Sequence, residues 1–223
     1  MFISSRMLLA VVQALASASR FVLLQSHGNV ETTLIAAASS LDSDFLAEFK
    51  LVTEEGWRTC SIDPAVSGFQ FRPGTRWNPG LSGESIREYQ QVLGVRFPDD
   101  LKEFFRTMNG TDLPTLNVYA MCGHPPRQSV GVYSYPRDLE AVQMRIEDTT
   151  RNRAAIIRDL GEQGFLLPPG SNLLPIFAHR YVVCGDDPGS STVLSIVVNA
   201  VDAIVYAPSL REYLKKEFLE SCR

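Results

Sequence analysis

Three histidines and four cysteines are the residues of this chain best suited to nucleophilic or metal chemistry. Cys122-Gly123-His124 offers two metal-ligand types one residue apart. A tetrahedral zinc site needs four ligands, and the sequence supplies no second pair to complete one. Cys60, Cys122, Cys184 and Cys222 are scattered singly, with no C-x-x-C, and read as unpaired cytosolic thiols. We therefore expect no metal and no cofactor. His27, His124 and His179 are the only histidines, and His179 lies close in sequence to Asp186 and Asp187. A His/Asp pair is a general-base arrangement, so a hydrolase using His179 is one reading. A lone histidine near a strand end is more often solvated or satisfied by its surroundings. The motifs G-x-S-x-G, G-x-G-x-x-G and H-E-x-x-H are absent, as is a P-loop. The residue chemistry offers a possible His/Asp pair and no standard catalytic motif.

Charge narrows the partners. The formal net charge is −4 and the isoelectric point about 5.4. No stripe of Lys and Arg with interleaved aromatics is present, which argues against nucleic acid as a partner. A mild acidic excess favours solubility and a basic protein partner. The 223 residues, 45% of them hydrophobic, suit one domain with an elaboration. The first twenty residues fit two descriptions. One is a secretory signal, with Arg6 followed by an apolar run and small residues near Ala18. The other is an apolar helix packed on the domain, because Phe21 to Leu24 continue the run past that point. A transmembrane anchor is not expected, since a span needs about 20 mostly apolar residues. The expected location is cytoplasmic.

The elements that must position any site follow from periodicity. Residues 1–25 read as an apolar helix, with a turn at Gly28 and an Ala-rich stretch to Ala38. A helix begins at Asp42 or Ser43, carries Phe45, Leu46 and Phe49 on one face, and ends at Gly56. Trp57 to Pro79 is punctuated by Pro and Gly and has room for a short strand or hairpin. Ser82 caps the next helix, with Leu81 and Ile86 as a hydrophobic staple and Gly94 as its stop. Pro98, Asp99 and Asp100 then open a helix whose Leu101, Phe104, Phe105 and Met108 form a core-facing stripe, with Asn109-Gly110 as its exit. Val118 to Met121 and Ser129 to Tyr133 read as strands around a Pro125-Pro126 turn. Asp138 to about Gly161 reads as helix. The runs Leu173–Phe177, Tyr181–Cys184, Thr192–Val198 and Ala203–Tyr206 read as strands, with a turn over residues 185–189. A closing helix starts at Ser209, with Glu212 completing a capping box. The order implies an α+β fold with helices packed on a mixed, mainly antiparallel sheet. Residues 1–76 are expected to form a helical extension and linker, and residues 77–223 the main domain.

From Trp77 onward the ordered set of signals resembles the SUKH superfamily. It comprises Leu81-Ser82-x-x-x-Ile86, then Leu93-Gly94-Val95-x-Phe97-Pro98-x-Asp100-Leu101, Phe104-Phe105 and Asn109-Gly110. Leu174-Pro175-Ile176-Phe177, Cys184-Gly185-Asp186, Val193 to Val198 and Ser209-Leu210-x-x-Tyr213-Leu214 follow in the same order. One position departs: Gln90 stands where the family often has Glu, which removes a charge from that contact. The resemblance implies a non-enzymatic protein-binding domain, as in fungal cell-wall regulators and bacterial immunity proteins that neutralise a toxin. A regulatory scaffold without a toxin partner is the alternative. An inhibitor of this kind needs a stable frame and exposed, partner-matched loops. The candidate contact residues are the acidic and aromatic ones expected in loops or at strand edges: Asp112, Tyr119, Tyr133, Tyr135, Asp186, Asp187 and Asp202. Tyrosines offer contact area with a polar tip, and acidic groups would suit a basic toxin surface.

Overall fold

Apolar stripes spaced for helices, and β-branched runs spaced for strands, meet in one compact unit that begins at Ser39. The computed structural model describes residues 41–120, 124–185, 191–198 and 202–220. The expected helix over residues 1–25, the turn at Gly28, the 185–189 turn beyond Gly185, and Asp186 and Asp187 lie outside them.

Helix α1 (Ser43–Thr59) starts where Asp42 accepts a hydrogen bond from Phe45 N at 2.7 Å. It passes through Gly56 instead of ending there, because Trp57 is buried in its last turn. Two short strands follow, β1 (Gly68–Gln70) and β2 (Trp77–Pro79), and they pair with later strands instead of with each other. Ser82 caps α2 (Gly83–Leu93) by accepting from Ser85 N at 3.0 Å. Gly94 closes it at φ +63°, a conformation that costs a glycine little. In α3 (Asp99–Thr107), Leu101, Phe104 and Phe105 face the core as their spacing predicts.

Asn109-Gly110 is not a simple helix exit. The chain runs from α3 straight into β3 (Met108–Thr111), which pairs with β2. Asn109 is buried; its amide donates to Tyr135 O at 2.6 Å and accepts from Tyr135 N at 2.9 Å. Gly110 has φ +68°, and a Cβ there would lie 2.5 Å from Val132 O. Strands β4 (Thr115–Tyr119) and β5 (His124–Ser129) form a sheet with β1, in the order β1-β4-β5. Pro125 and Pro126, expected in a turn, lie within β5. They sit where the β4–β5 register slips, on an edge strand, a position where a missing N–H removes no ladder bond. Of the expected strand from Ser129 to Tyr133, only Ser129 lies in a strand, and Val132 makes an isolated bridge to Phe177. The expected long helix divides at Asn152 into α4 (Leu139–Arg151) and α5 (Arg153–Glu162).

Strands β6 (Asn172–Phe177), β7 (Arg180–Cys184), β8 (Val193–Val197) and β9 (Asp202–Ala207) form a four-stranded meander. Among the described residues every strand pairing is antiparallel. Helix α6 (Leu210–Leu214) is capped by Ser209, which accepts from Glu212 N at 3.2 Å, and runs into a π-helical turn, Lys215–Glu220. The meander is covered on both faces. Leu173, Tyr181, Val183, Leu194 and Ile196 pack with Ile156 and Leu160 of α5. Leu174, Ile176, Val182 and Val193 join the larger core with α1, α2 and α3.

That larger core is aromatic at its centre. Phe218 lies 5.6 Å from Phe49, 5.8 Å from Trp77, 5.6 Å from Phe71 and 5.8 Å from Phe177, between ring centroids. Phe49 and Trp57 come from α1, so residues 41–76 share the core of residues 77–220. By its contacts the compact unit takes in residues 39–223.

Candidate protein-binding surface

The alternation of a strand decides which side chains reach this surface. Ser195 lies opposite both Arg180 and Ile204, and Val197 opposite Asp202. Directly opposed residues point to one face, so Arg180, Ser195, Val197, Asp202 and Ile204 share a side of the meander. It is the side that buries Val182 and Val193 further along. At this end the cover stops. Val197 is 40% and Ile204 43% exposed, unusual for large aliphatics on a sheet otherwise packed on both faces.

A polar cluster borders these aliphatics. Arg180 Nε stands 3.0 Å from Glu217 Oε2, and its Nη1 donates to Ser195 Oγ at 2.9 Å. The Arg180 guanidinium lies 3.8 Å from the Tyr206 ring centroid and Lys216 Nζ 3.9 Å from it, both cation–π contacts. Lys216 also donates to Tyr206 O at 3.1 Å. Burial raises the Tyr206 pKa, and Glu217 adds to the shift. Behind it Tyr213 is fully buried, its pKa raised chiefly by burial, with Tyr206 packed edge-on at 6.1 Å. The π-helical turn explains the arrangement: one turn of chain sends Phe218 into the aromatic core and brings Lys216 and Glu217 onto β9. His179 sits in the β6–β7 turn, where its carbonyl accepts from Ile196 N at 2.9 Å and its ring is 6.0 Å from Phe69. Burial, then neighbouring Arg180, lowers its pKa. Phe69 belongs to β1, so the three-stranded sheet adjoins this same end of the meander.

The residues expected to touch a partner are not gathered together. Asp202 lies exposed on the open face, beside Val197. Asp112 is exposed, but its carboxylate accepts from Arg76 N at 2.7 Å and ties β3 to the start of β2. Tyr119 is half-buried on β4, accepts from Asn117 Nδ2 at 2.9 Å, and lines a shallow hollow with Pro64, His124, Pro125 and Pro126. Tyr133 and Tyr135 were expected at loops or strand edges, and their rings are core instead, 6% and 8% exposed. Tyr135 stacks on Tyr89 at 4.4 Å. Tyr133 donates its backbone N–H to Ile176 O, which places it under the edge of β6. Val197, Ile204, Tyr206, Arg180 and Glu217 were not singled out by sequence. The one available signal was Ser195, a polar residue in the middle of the apolar run Val193–Val197, which marks a polar partner opposite it.

Among the described residues, no group of three or more His, Cys, Asp and Glu side chains is placed to hold a metal ion. No described helix is long and apolar enough to cross a membrane. The SMI1 / KNR4 family (SUKH-1) matches residues 80–216, more than half of the chain.

The chain belongs to the SMI1 / KNR4 family (SUKH-1).

No curated protein matches it. The SUKH-1 match spans α2 through α6, so the frame of this surface, from Arg180 to Tyr206, lies within the family domain. Gln90 has a definite role here. Its side-chain oxygen accepts from Phe97 N at 2.8 Å and fixes the link between α2 and α3. A neutral amide does this without charge, so the departure from Glu leaves the backbone contact in place.

Proposed function

We propose that this chain is an immunity protein that binds a bacterial toxin and neutralises it in the cytoplasm. The open end of the meander is its contact surface. The exposure of Val197 and Ile204 on a sheet that is otherwise covered on both faces carries the reading. An apolar centre with a polar, partly immobilised rim is the usual anatomy of a protein-binding patch. Arg180, Glu217 and Tyr206 form that rim, and their mutual contacts reduce the ordering cost of binding. Asp202 supplies a negative charge beside Val197 suited to a basic partner. Membership in SUKH-1 supports the same reading, because this family acts by binding proteins. Tyr119 and the exposed β5 extend the contact on the neighbouring sheet, and the acidic Asp112, Asp186 and Asp187 are further candidate contacts.

The test is protection. A toxin identified as the partner, by its gene lying beside this one or by capture with the full-length chain, is expressed in a sensitive strain with the full-length chain, or with Ile204→Asp. Wild-type protein is expected to restore growth and Ile204→Asp to fail while remaining folded and abundant. Equal protection by both proteins would remove the surface assignment. No protection by the wild type would remove the toxin reading and favour a regulatory scaffold.

A further inference from the structure

The sheet β1-β4-β5 is joined to the rest of the unit at few points. Its chain enters and leaves at two fixed pairs of residues. Cys60 Sγ donates to Phe71 O at 3.4 Å, and Phe71 is stacked on Trp57 at 4.3 Å. Thr115, fully buried, donates its hydroxyl to Val130 O at 3.2 Å. Between those pairs lie residues 61–70, 116–120 and 124–129. Their side-chain hydrogen bonds run within the sheet, from Gln70 to Asp63 and Val66, from Ala120 N to Ser67 and from Asn117 to Tyr119. Among the described residues, the one that leaves it is Arg72 to Gln128, exposed and long at 3.5 Å. Apolar contacts are as few. Val118 is buried yet belongs to neither core, and it lines the shallow hollow with the sheet's own Pro64, Tyr119, Pro125 and Pro126. Among the described residues, Phe69 is the sheet's one side chain packed against the larger core. Its ring meets Phe177 at 5.9 Å and His179 at 6.0 Å.

We propose that this sheet is a hinged lid beside the open end of the meander, that it opens as a unit while the rest of the fold stays closed, and that Phe69 is its latch. A segment with few buried apolar contacts and solvent-exposed backbone bonds opens at a lower free energy than the core. Here β1 is half-buried throughout and β5 almost wholly exposed, whereas Tyr181, Val182, Val193 and Leu194 of the meander are fully buried. The two fixed pairs serve as hinges, so the β1-β4-β5 ladder moves without breaking. The lid lies beside the proposed contact surface. The His179 carbonyl accepts from Ile196 N, one residue before the open Val197, so lifting Phe69 uncovers the His179 side of that surface. This use rests on the contact surface proposed above; the opening itself does not.

The experiment is hydrogen exchange on the free full-length protein. Amides of β1, β4 and β5 are expected to exchange together, and faster than those of β7 and β8. Phe69→Ala is expected to speed all three strands of the lid by about tenfold or more, the central β4 included, and to leave β7, β8 and α3 unchanged. Phe69→Leu keeps part of the apolar contact and carries the test if the alanine variant does not fold. It is expected to give a smaller acceleration confined to the same strands. Acceleration of β1 and β5 without β4 would be edge fraying and would overturn the proposal. So would equal exchange of lid and meander in the wild type, an acceleration shared by both, no acceleration at all, or loss of folding in both variants. The free protein decides the lid and the growth test decides the contact surface, so the two fail separately.

Discussion

One row of paired residues across the meander, Phe177–Arg180–Ser195–Ile204, has two ends that differ in what covers them. At the β6 end Phe177 lies under Phe71 and Phe218, and the stack continues to Phe49, Trp57 and Trp77. At the β9 end, Ile204 and neighbouring Val197 lie open beside the Arg180–Glu217 pair. One sheet builds both, so strand propensity does not set the difference. What sets it is which later segment reaches back: the turn carrying Phe218 seals one end and leaves Lys216 and Glu217 to border the other. The sealed end holds the fold, and the open end is available for a partner.

Breaking the sealed end should have the largest effect. Phe218→Ala is expected to cost about 3–5 kcal/mol in urea unfolding, the range for deleting a buried aromatic. Ile204→Asp should change stability by no more than about 0.5 kcal/mol, as for a surface substitution. Similar losses from both would erase the distinction. Gly110→Ala comes next, at about 2–3 kcal/mol, because the new Cβ must enter a positive-φ site against Val132 O. Its loss should appear in the unfolding midpoint without touching the open face. A double-mutant cycle of Arg180→Met with Glu217→Gln should give a coupling of about 1 kcal/mol, since both side chains are largely shielded. A coupling near zero would mean that the rim is not preorganised.

The smallest effect is acid lability at the start of α1. The Phe45 N–H and, against some burial, the Arg211 guanidinium hold the Asp42 carboxyl below its usual range. A depressed carboxyl contributes stability that is fully present above the unfolded value of about 3.9 and is lost as pH falls through the folded value. Asp42→Asn should therefore flatten the acid limb of stability against pH, read by circular dichroism below about pH 4. An unchanged acid limb would remove Asp42 from the account.

Local rules made much of this frame legible. Caps at Asp42, Ser82 and Ser209, the left-handed stop at Gly94, and the stripe Leu101-Phe104-Phe105 needed only neighbours in sequence. The strands of the meander were legible from their β-branched runs. Other features depended on distant residues. Trp57 carries α1 past Gly56 because the core it enters is built by Trp77 and Phe218, and Gly110 serves a close approach to Val132. The surface was the least legible. Val197 and Ile204 belong to apolar runs like those of β6 and β7, and nothing local says that the cover ends before them. Tyr133 and Tyr135 show the converse, with residue types suited to contact but positions claimed by the core.

The most direct test of the central claim is a calorimetric titration of the purified toxin domain into full-length protein and into Ile204→Asp. A central apolar residue of a binding patch is worth about 2 kcal/mol or more, so Kd should weaken by about thirtyfold or more. An unchanged Kd for a folded Ile204→Asp would contradict the assignment of the open end as the binding surface.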